Sequence, residues 1–295
     1  MDYQYREMQP LKEHVKILEG KNSRARGEQI ITTLSGLGIQ PTFQKCPWPR
    51  ITNIIVDFST VPDTQQILFT AHYDVIKGSP GANDNASGVA VLLGLCHELR
   101  HEKAPVKIIF FDREETWFRT PVIKLGLLGS LFYISKNSMQ NISAVYNLEF
   151  CGLGDSLAIW PIKNRQMKLS ALHQVEMAAL RLELPLKTAQ IPWLFLSSDH
   201  LPFRLKGLKN ALTLSLIPKD QVGVLEKSLS RVSLLKLLTG QRPTLPKPLN
   251  IIHSIADTSD NINENSLSLM LSLVRELISS YDSMGNSSSS VNEKD

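Results

Sequence analysis

Short apolar segments alternate along this chain with longer amphipathic ones, and this alternation limits the folds that are open to it. Five segments rich in β-branched and apolar residues have the length of strands: 52–58, 65–71, 106–112, 142–150 and 211–217. Three longer segments, 10–37, 85–102 and 266–281, are predicted to be helical. Strands that alternate with helices are typical of a largely parallel sheet. We therefore expect an α/β fold with a central mixed, mostly parallel sheet covered by helices on both faces.

The composition fits one large globular unit and argues against a nucleic-acid partner. A chain of 295 residues with 42% hydrophobic content can bury one sizeable core, and we expect a single domain over residues 1–281. The formal net charge is only +4, and the sequence has no dense run of lysine and arginine with interleaved aromatic residues. We therefore expect no nucleic-acid partner.

The amino terminus and the cysteines indicate a cytoplasmic protein. Residues 1–30 are polar and charged, without the basic start and apolar stretch of a secretory signal. The apolar run VAVLLGLC, residues 89–96, is far shorter than the roughly 20 residues that cross a bilayer, so we expect no membrane association. Cys46, Cys96 and Cys151 are odd in number and widely spaced, which suits a reducing compartment better than a disulfide framework.

Several side chains that bind metals lie beside the apolar segments. Zinc binds imidazole nitrogen and carboxylate oxygen at about 2.0–2.2 Å, and His72, Glu115 and His253 suit these preferences. Two metal ions about 3.5–4 Å apart need a carboxylate that touches both. Asp84, in the turn GANDNASG, is the candidate for that bridge. The pattern predicts a hydrolytic site with two metal ions.

The consecutive Glu114 and Glu115 indicate a division of roles. Neighbouring side chains at the end of an extended strand face opposite sides, so only one of them can point straight at a given metal. We assign the ligand role to Glu115 and the proton-transfer role to Glu114, which can take a proton from water and return it to a leaving amine. These two residues, His72 and Glu149 lie at or just past the carboxyl ends of predicted strands, at the edge where open α/β sheets place their ligands.

Six strings, in this order, carry a family resemblance: AHYDVIKGSPGANDNASG, FFDREE, GLLGS, NLEF, SSDHLPF and HSIADTSDNI. Over residues 50–280 the chain resembles the co-catalytic zinc aminopeptidases, a family that also contains the glutaminyl cyclases. The resemblance implies a zinc exopeptidase-like fold and makes Glu114 the general base. It also implies that Asp74 orients His72 without binding metal, since a metal-bound histidine commonly gives its other ring proton to a carboxylate.

The resemblance further implies two zinc sites that share one ligand. The first site would comprise His72, Asp84 and Glu149. The second would comprise Asp84, Glu115 and His253. A carboxylate at position 149 could instead bind the amine of a substrate, so that residue has two possible roles.

Two stretches, 116–125 and 219–247, look like insertions. The first places Trp117 near the site, where it is expected to line a substrate pocket. The second carries six lysines or arginines against two acidic residues, which could favour an acidic substrate or merely keep a helix solvated. Asp199, in SSDHLPF, contacts the substrate or supports the cleft. Residues 282–295 are low in apolar residues and are predicted to be a disordered tail.

Three functions stay open, and we predict the first of them. The first is an aminopeptidase with two zinc ions that acts on peptides with a free N-terminus. The second is a glutaminyl cyclase, in which Asp84, Glu115 and His253 would hold a single zinc ion; Trp117 and Pro121 make this alternative serious. The third is a non-enzymatic relative used for interaction. Ile252 precedes the last histidine where several family members carry an aromatic residue, which puts oxyanion stabilisation by a side chain in doubt.

Overall fold

An eight-stranded mixed sheet organises the chain. The computed structural model describes residues 8–59, 64–115, 118–119, 124–160, 170–188, 198–224 and 247–289. The strands of the sheet are Thr42–Cys46 (β1), Ile51–Asp57 (β2), Gln66–His72 (β3), Val106–Phe111 (β4), Ile142–Leu148 (β7), Ser156–Trp160 (β8), Leu186–Thr188 (β9) and Ala211–Ile217 (β10). They lie in the order β1-β2-β4-β3-β7-β10-β8-β9. Phe118–Arg119 (β5) and Lys124–Leu125 (β6) form a separate two-stranded ribbon.

The four central strands, β4, β3, β7 and β10, run parallel to one another. Antiparallel pairs join β1 to β2, β2 to β4 and β10 to β8. Every residue of β10 is buried, as expected for a central strand covered on both faces, and such strands appear in sequence as continuous apolar runs. The predicted fold is confirmed. The five predicted strands correspond to β2, β3, β4, β7 and β10, whereas β1, β8 and β9 were not predicted.

Helices cover both faces of the sheet. They are Leu11–Leu18 (α1), Ser23–Gly36 (α2), Ser87–Leu99 (α3), Leu128–Lys136 (α4), Ser170–Arg181 (α5), His200–Leu205 (α6), Lys247–Ile251 (α7) and Glu264–Ser289 (α8). Successive residues of a strand point to opposite faces. Phe69 of β3 accordingly packs in the large core with α1, α2, α3, α5 and α8, while Leu68 packs in a smaller core with α4 and α6.

The predicted helical segment 10–37 is two helices rather than one. Gly20 separates them with a φ of +69°, a conformation that glycine adopts without strain, and its N–H donates to the carbonyl of Pro80 at 2.9 Å. Asn22 then begins α2, because its side chain accepts the N–H of Ala25 at 3.0 Å. The break brings the amino-terminal helices into contact with the loop after β3.

The insertions and the carboxyl terminus are described in part. The ribbon β5–β6 lies within 116–125, and residues 225–246 of the second insertion lie outside the described residues. Helix α8 includes residues 282–289, the first part of the predicted disordered tail, because a helix started by packed turns extends cooperatively into polar sequence. No helix in the described part of the chain combines the length and hydropathy needed to cross a membrane.

Candidate metal centre

The carboxyl edge of the central strands carries the predicted site residues. His72 is the last residue of β3, Glu149 directly follows β7, and Glu114 and Glu115 lie in the loop after β4. The N–H of Glu149 donates to the carbonyl of Leu214 at 3.0 Å, so neighbouring β10 still holds its backbone. Parallel strands that lie side by side end at one edge, and short connections therefore bring these side chains together.

Asp84 reaches the same place from the turn Ala82–Ala86, which leads into α3. Gly81 begins this turn with a φ of +66°. Asp257 accepts the N–H of Asp84 at 3.1 Å and that of the preceding residue at 2.7 Å. Asn85 donates from Nδ2 to the carbonyl of the last residue of β7 at 2.7 Å. These bonds fix the turn between the sheet edge and the loop after α7.

The two oxygens of Asp84 divide the donor atoms into two groups. Oδ1 lies 3.2 Å from Nε2 of His72, and the same nitrogen lies 3.5 Å from Oε2 of Glu149. Oδ2 lies 3.2 Å from Nε2 of His253, which lies 3.1 Å from Oε1 of Glu115. We call His72 and Glu149 the inner half, and Glu115 and His253 the outer half; Asp84 belongs to both. The inner half is buried, whereas the side chain of His253 is 45% exposed.

Negative charge is concentrated at this centre, and the pKa values of both histidines reflect it. Burial alone would lower the pKa of His72, but the charge of Glu149 and its other acidic neighbours raises it well above its usual value. Hydrogen bonds with Asp84 and Glu115 raise the pKa of His253 to about 10. The carboxylates therefore favour positive charge in both halves.

The chemistry of the donor set fits zinc. One donor atom each from His72, Asp84 and Glu115 lie within 4.8 Å of one another. Two imidazoles and three carboxylates are ligand types that zinc prefers, and the buried carboxylates need a cation nearby. Nδ1 of His72 is buried without a hydrogen-bond partner and lies 3.4 Å from Oδ1 of Asp74. This position is suited to the carboxylate that orients a metal-bound histidine.

Asp74 also links two of the strand ends. Its Oδ1 accepts the N–H of Glu114 at 3.0 Å, and its Oδ2 accepts that of Glu115 at 3.1 Å. Burial raises the pKa of Glu114 well above its usual value; the charge of His72 opposes this shift, and that of Glu149 adds to it. A carboxyl group with a raised pKa can hold a transferred proton.

A buried polar network supports the inner half, and sequence reasoning missed it. Ser198 donates from Oγ to Oε1 of Glu149 at 2.6 Å. Asn147 donates to Oγ of Ser198 at 2.8 Å and to Oγ1 of Thr213 at 3.2 Å, and it accepts a hydrogen bond from Thr70 at 2.8 Å. The available signal was the presence of Thr70, Asn147 and Thr213 inside three largely apolar strands, since buried polar groups are normally paired.

The other predicted residues have different outcomes. Asp199 is buried beside the centre, where Oδ1 accepts a hydrogen bond from Oγ of Ser130 at 2.5 Å, and burial raises its pKa to about 7. Its Oδ2 is buried without a hydrogen-bond partner. Trp117 lies outside the described residues. Asp257, which holds the Asp84 turn, was contained in a recognised string but was not singled out.

The sheet order and this donor set define an α/β protein with a candidate metal centre at the carboxyl edge of its strands. The profile of peptidase family M28 matches residues 53–278. The chain therefore belongs to peptidase family M28, as the six strings had indicated.

Curated relatives match only part of their own length. Aminopeptidase YwaD of Bacillus subtilis is 35% identical over 91 residues, which are 29% of this chain and 18% of that protein. The vacuolar membrane protease of Kluyveromyces lactis is 25% identical over 162 residues, which are 54% of this chain and 17% of that protein. The chain thus spans less than a fifth of the length of either relative.

Solved structures share the fold. A zinc aminopeptidase from Bacillus subtilis superposes with a TM-score of 0.56 and 22% identity, over 78% of this chain and 49% of that chain. The glutaminyl cyclase of Porphyromonas gingivalis superposes with a TM-score of 0.64 and 21% identity, over 91% of this chain and 95% of that chain. Two different activities therefore occur on this fold.

Proposed function

We propose that this chain is a zinc-dependent aminopeptidase that removes N-terminal residues from peptides with the help of two metal ions. The observation that carries the proposal is the environment of Asp84: its Oδ1 and Oδ2 each lie 3.2 Å from a different histidine. A carboxylate with donors on both sides can touch two ions at once, as co-catalytic sites require. Membership of peptidase family M28 supports peptide hydrolysis.

Each half of the donor set would hold one zinc ion. The inner ion would bind His72, Glu149 and Asp84, and the outer ion would bind Glu115, His253 and Asp84. When bound, the ions polarise a carbonyl oxygen and lower the pKa of a water molecule to about 7. Binding, orientation and proton transfer remain tasks for the side chains.

Glu114 would move the proton. Its carboxylate accepts a proton from the attacking water and donates it to the amine nitrogen of the leaving product as the C–N bond breaks. The carboxylate is then regenerated, so the proton balance closes in each cycle. Its raised pKa favours retention of the proton between these two steps. Asp74 keeps the residue in place through the backbone N–H.

The substrate would enter from the outer half. His253 is the partly exposed ligand, whereas His72 is buried. The free amine of the peptide would lie near Glu149. Ile252 packs against the small apolar cluster of Phe150 and its neighbours, so its side chain offers no hydrogen bond to an oxyanion. Carbonyl polarisation would therefore depend on the metal.

A glutaminyl cyclase is the second candidate, and the inner half supplies the reason. Oε1 of Glu149 accepts a hydrogen bond from Ser198 at 2.6 Å and lies 3.4 Å from Nδ2 of Asn147, so the protein already engages this carboxylate. The outer half alone would then hold one zinc ion. Glu114 would take a proton from the substrate's amine as the amine nitrogen bonds to the γ-amide carbon, and would give that proton to the amide nitrogen, which leaves as ammonia when its C–N bond breaks.

Metal content and two substrates separate these candidates. The full chain, purified without chelator, is assayed for zinc per chain, for hydrolysis of a leucyl anilide and for ammonia release from a glutaminyl peptide. Two zinc ions with anilide hydrolysis are expected. One zinc ion with ammonia release would contradict the aminopeptidase and favour the cyclase. A chain with neither metal nor turnover would indicate a relative used for interaction.

A cytoplasmic location and a peptide partner with a free N-terminus are part of the same proposal. Cys46, Cys96 and Cys151 are free thiols, which suits a reducing compartment. Cell fractionation tests the location. Recovery of the protein in a membrane or vacuolar fraction, which the names of the yeast relatives would suggest, contradicts it.

A further inference from the structure

Arg26, on α2, is a fully buried cation for which the proposed reaction has no use. None of its surface is exposed, whereas the side chain of Arg24 on the same helix is 89% exposed. Burial of a charged group is costly unless other groups compensate for it. Arg26 also lies outside residues 53–278, the segment that matches the peptidase family. Its burial therefore needs an explanation from its surroundings.

Within the described residues, backbone carbonyls accept all the hydrogen bonds of this guanidinium. Nε of Arg26 donates to Leu18 at 3.1 Å, and Nη1 donates to Tyr73 at 3.4 Å. Nη2 donates to Pro80 at 2.8 Å and to Gly81 at 2.9 Å. Tyr73 directly follows the inner histidine, and Gly81 begins the turn that carries the shared carboxylate. Arg26 therefore clamps two of the segments that carry donor atoms.

Carbonyl groups are neutral, so they do not balance the charge of Arg26. No carboxylate in the described part of the chain forms a direct ion pair with it. The acidic groups that act on it are, in decreasing order, Asp84, Asp74, Asp257 and Glu115. Burial lowers the pKa of Arg26 to about 10, which leaves the group protonated at neutral pH. The buried cation and the acidic centre thus compensate for each other.

The guanidinium cannot easily move away from this position. Gly81 packs so closely that a Cβ there would lie 2.7 Å from Nη2 of Arg26 and 2.5 Å from Cγ2 of Val75. A fixed cation near the donor set lowers the free energy of the metal-free centre. The same cation opposes the binding of zinc, because both carry positive charge. Bound zinc in turn makes the charge of Arg26 less favourable by the same free energy.

We infer that Arg26 is a positioning residue and the internal counter-cation of the metal centre: it holds the segments of His72 and Asp84 together and offsets the carboxylate charge until zinc binds. This inference rests on the zinc site proposed above. It assigns to the amino-terminal helices a role in loading of the metal rather than in the reaction.

Thermal unfolding of the full chain, in chelator and at one fixed zinc concentration, tests this inference. Arg26→Gln and Arg26→Met remove the charge, Arg26→Lys keeps the charge with fewer hydrogen bonds, and Arg24→Gln is the exposed control on the same helix. Zinc should raise the Tm of both neutral variants by about 4 °C or more beyond the wild-type shift, because their metal-free forms lose the counter-cation. Chelator competition should give zinc affinity about tenfold tighter in the neutral variants.

Arg26→Lys, which keeps the charge, distinguishes a role for the charge of Arg26 from a role for its hydrogen bonds alone. Arg26→Lys should unfold at lower temperature in both conditions, yet its zinc-dependent shift should equal that of the wild type, as should that of Arg24→Gln. Equal zinc shifts in the wild type and both neutral variants would overturn the inference. So would neutral variants that stay unfolded at saturating zinc while Arg26→Lys folds, because zinc could then not replace the charge. A wild type without any zinc response would overturn the proposed function itself, and the inference with it.

Discussion

The inner and outer halves of the donor set are built in different ways. His72 and Glu149 of the inner half lie at the ends of adjacent central strands, buried, with Ser198 donating to the carboxylate. In the outer half Glu115 lies in a loop, and its partner His253 comes 138 residues later and is 45% exposed. One half is thus part of the sheet, whereas the other depends on the docking of a distant loop.

Because of this difference, the ligands of the inner half are positioned more accurately, and those of the outer half are more accessible to a substrate. Ligands that strands hold are positioned more accurately than ligands on loops, and buried neighbours keep their rotamers fixed. A partly exposed ligand on a loop leaves room for a substrate to approach. We therefore expect the inner half to govern how firmly metal is retained and the outer half to meet the substrate.

The largest effect should come from Asp84→Asn, which damages both halves at once. The amide lacks the charge and the second oxygen of the shared ligand, so zinc content should fall below one ion per chain. The rate should fall about 10⁴-fold, which corresponds to the several kcal/mol that metal ions contribute. Zinc analysis and anilide hydrolysis measure both quantities. Asp220→Asn, at an exposed carboxylate, is the control, and retention of two zinc ions by Asp84→Asn would contradict a shared ligand.

Glu114→Gln should separate chemistry from metal binding, since this residue belongs to neither half. We expect kcat to fall about 10²–10⁴-fold, the usual contribution of a general base, with zinc content unchanged. The control is Glu176→Gln, on the exposed side of α5. Loss of zinc in parallel with activity would instead place Glu114 among the ligands.

Ser198→Ala should weaken the inner half alone. It removes the donor to Oε1 of Glu149, and the loss of such a supporting partner typically costs about 10–100-fold in metal affinity or activity. Chelator competition should show one weakened zinc ion out of two. Ser135→Ala, at an exposed serine of α4, should bind zinc as the wild type does. Equal weakening of both ions would mean that the two halves are not independent.

The smallest effect concerns His200, whose Nδ1 lies 2.6 Å from Oγ1 of Thr213 in the network behind the inner half. Burial lowers the pKa of His200 from 6.5 to about 3, so between these values the unfolded chain binds one more proton than the folded chain. Its contribution to stability is complete above pH 6.5 and decreases as the pH falls, by up to about 1.4 kcal/mol per unit.

Urea unfolding in chelator at pH 7.5 and at pH 5.5 checks this direction. The wild type should lose about 1 kcal/mol more than His200→Asn over that interval, because the variant has no imidazole to protonate on unfolding. The same pH dependence in both proteins would mean that the pKa of His200 is not lowered in the folded state.

Much of the centre could be predicted from local pattern. His72 and Glu149 end or follow apolar strands, and parallel strands bring such positions to one edge, so their presence at this edge follows from the strand assignment. Their close approach also requires that β3 and β7 are neighbours in the sheet. The carboxylate of Asp84 was placed from its turn. The proposed roles of Glu114 and Glu115 likewise came from their positions at a strand end.

The network and the buried arginine could not be found in this way. Asn147 and Ser198 contact each other across 51 residues, and only the strand register and the loop before α6 decide that contact. Arg26 lies in the polar string SRARGEQ, which predicts a solvated helix surface. The break at Gly20 was missed for a related reason, because the polar residues around it are compatible with either a turn or a helix.

The sequence by itself determined the central strands, the mostly parallel sheet and the identity of the donor side chains, since apolar periodicity and side-chain chemistry are local properties. Only the tertiary structure decided that Asp84 faces two histidines and that Arg26 is buried behind it. Strand order, loop docking and the mutual compensation of buried charges act between residues far apart in the chain. A buried cation is costly unless other groups compensate for it, and the carbonyls and carboxylates that act on Arg26 come mostly from segments far from it in the chain.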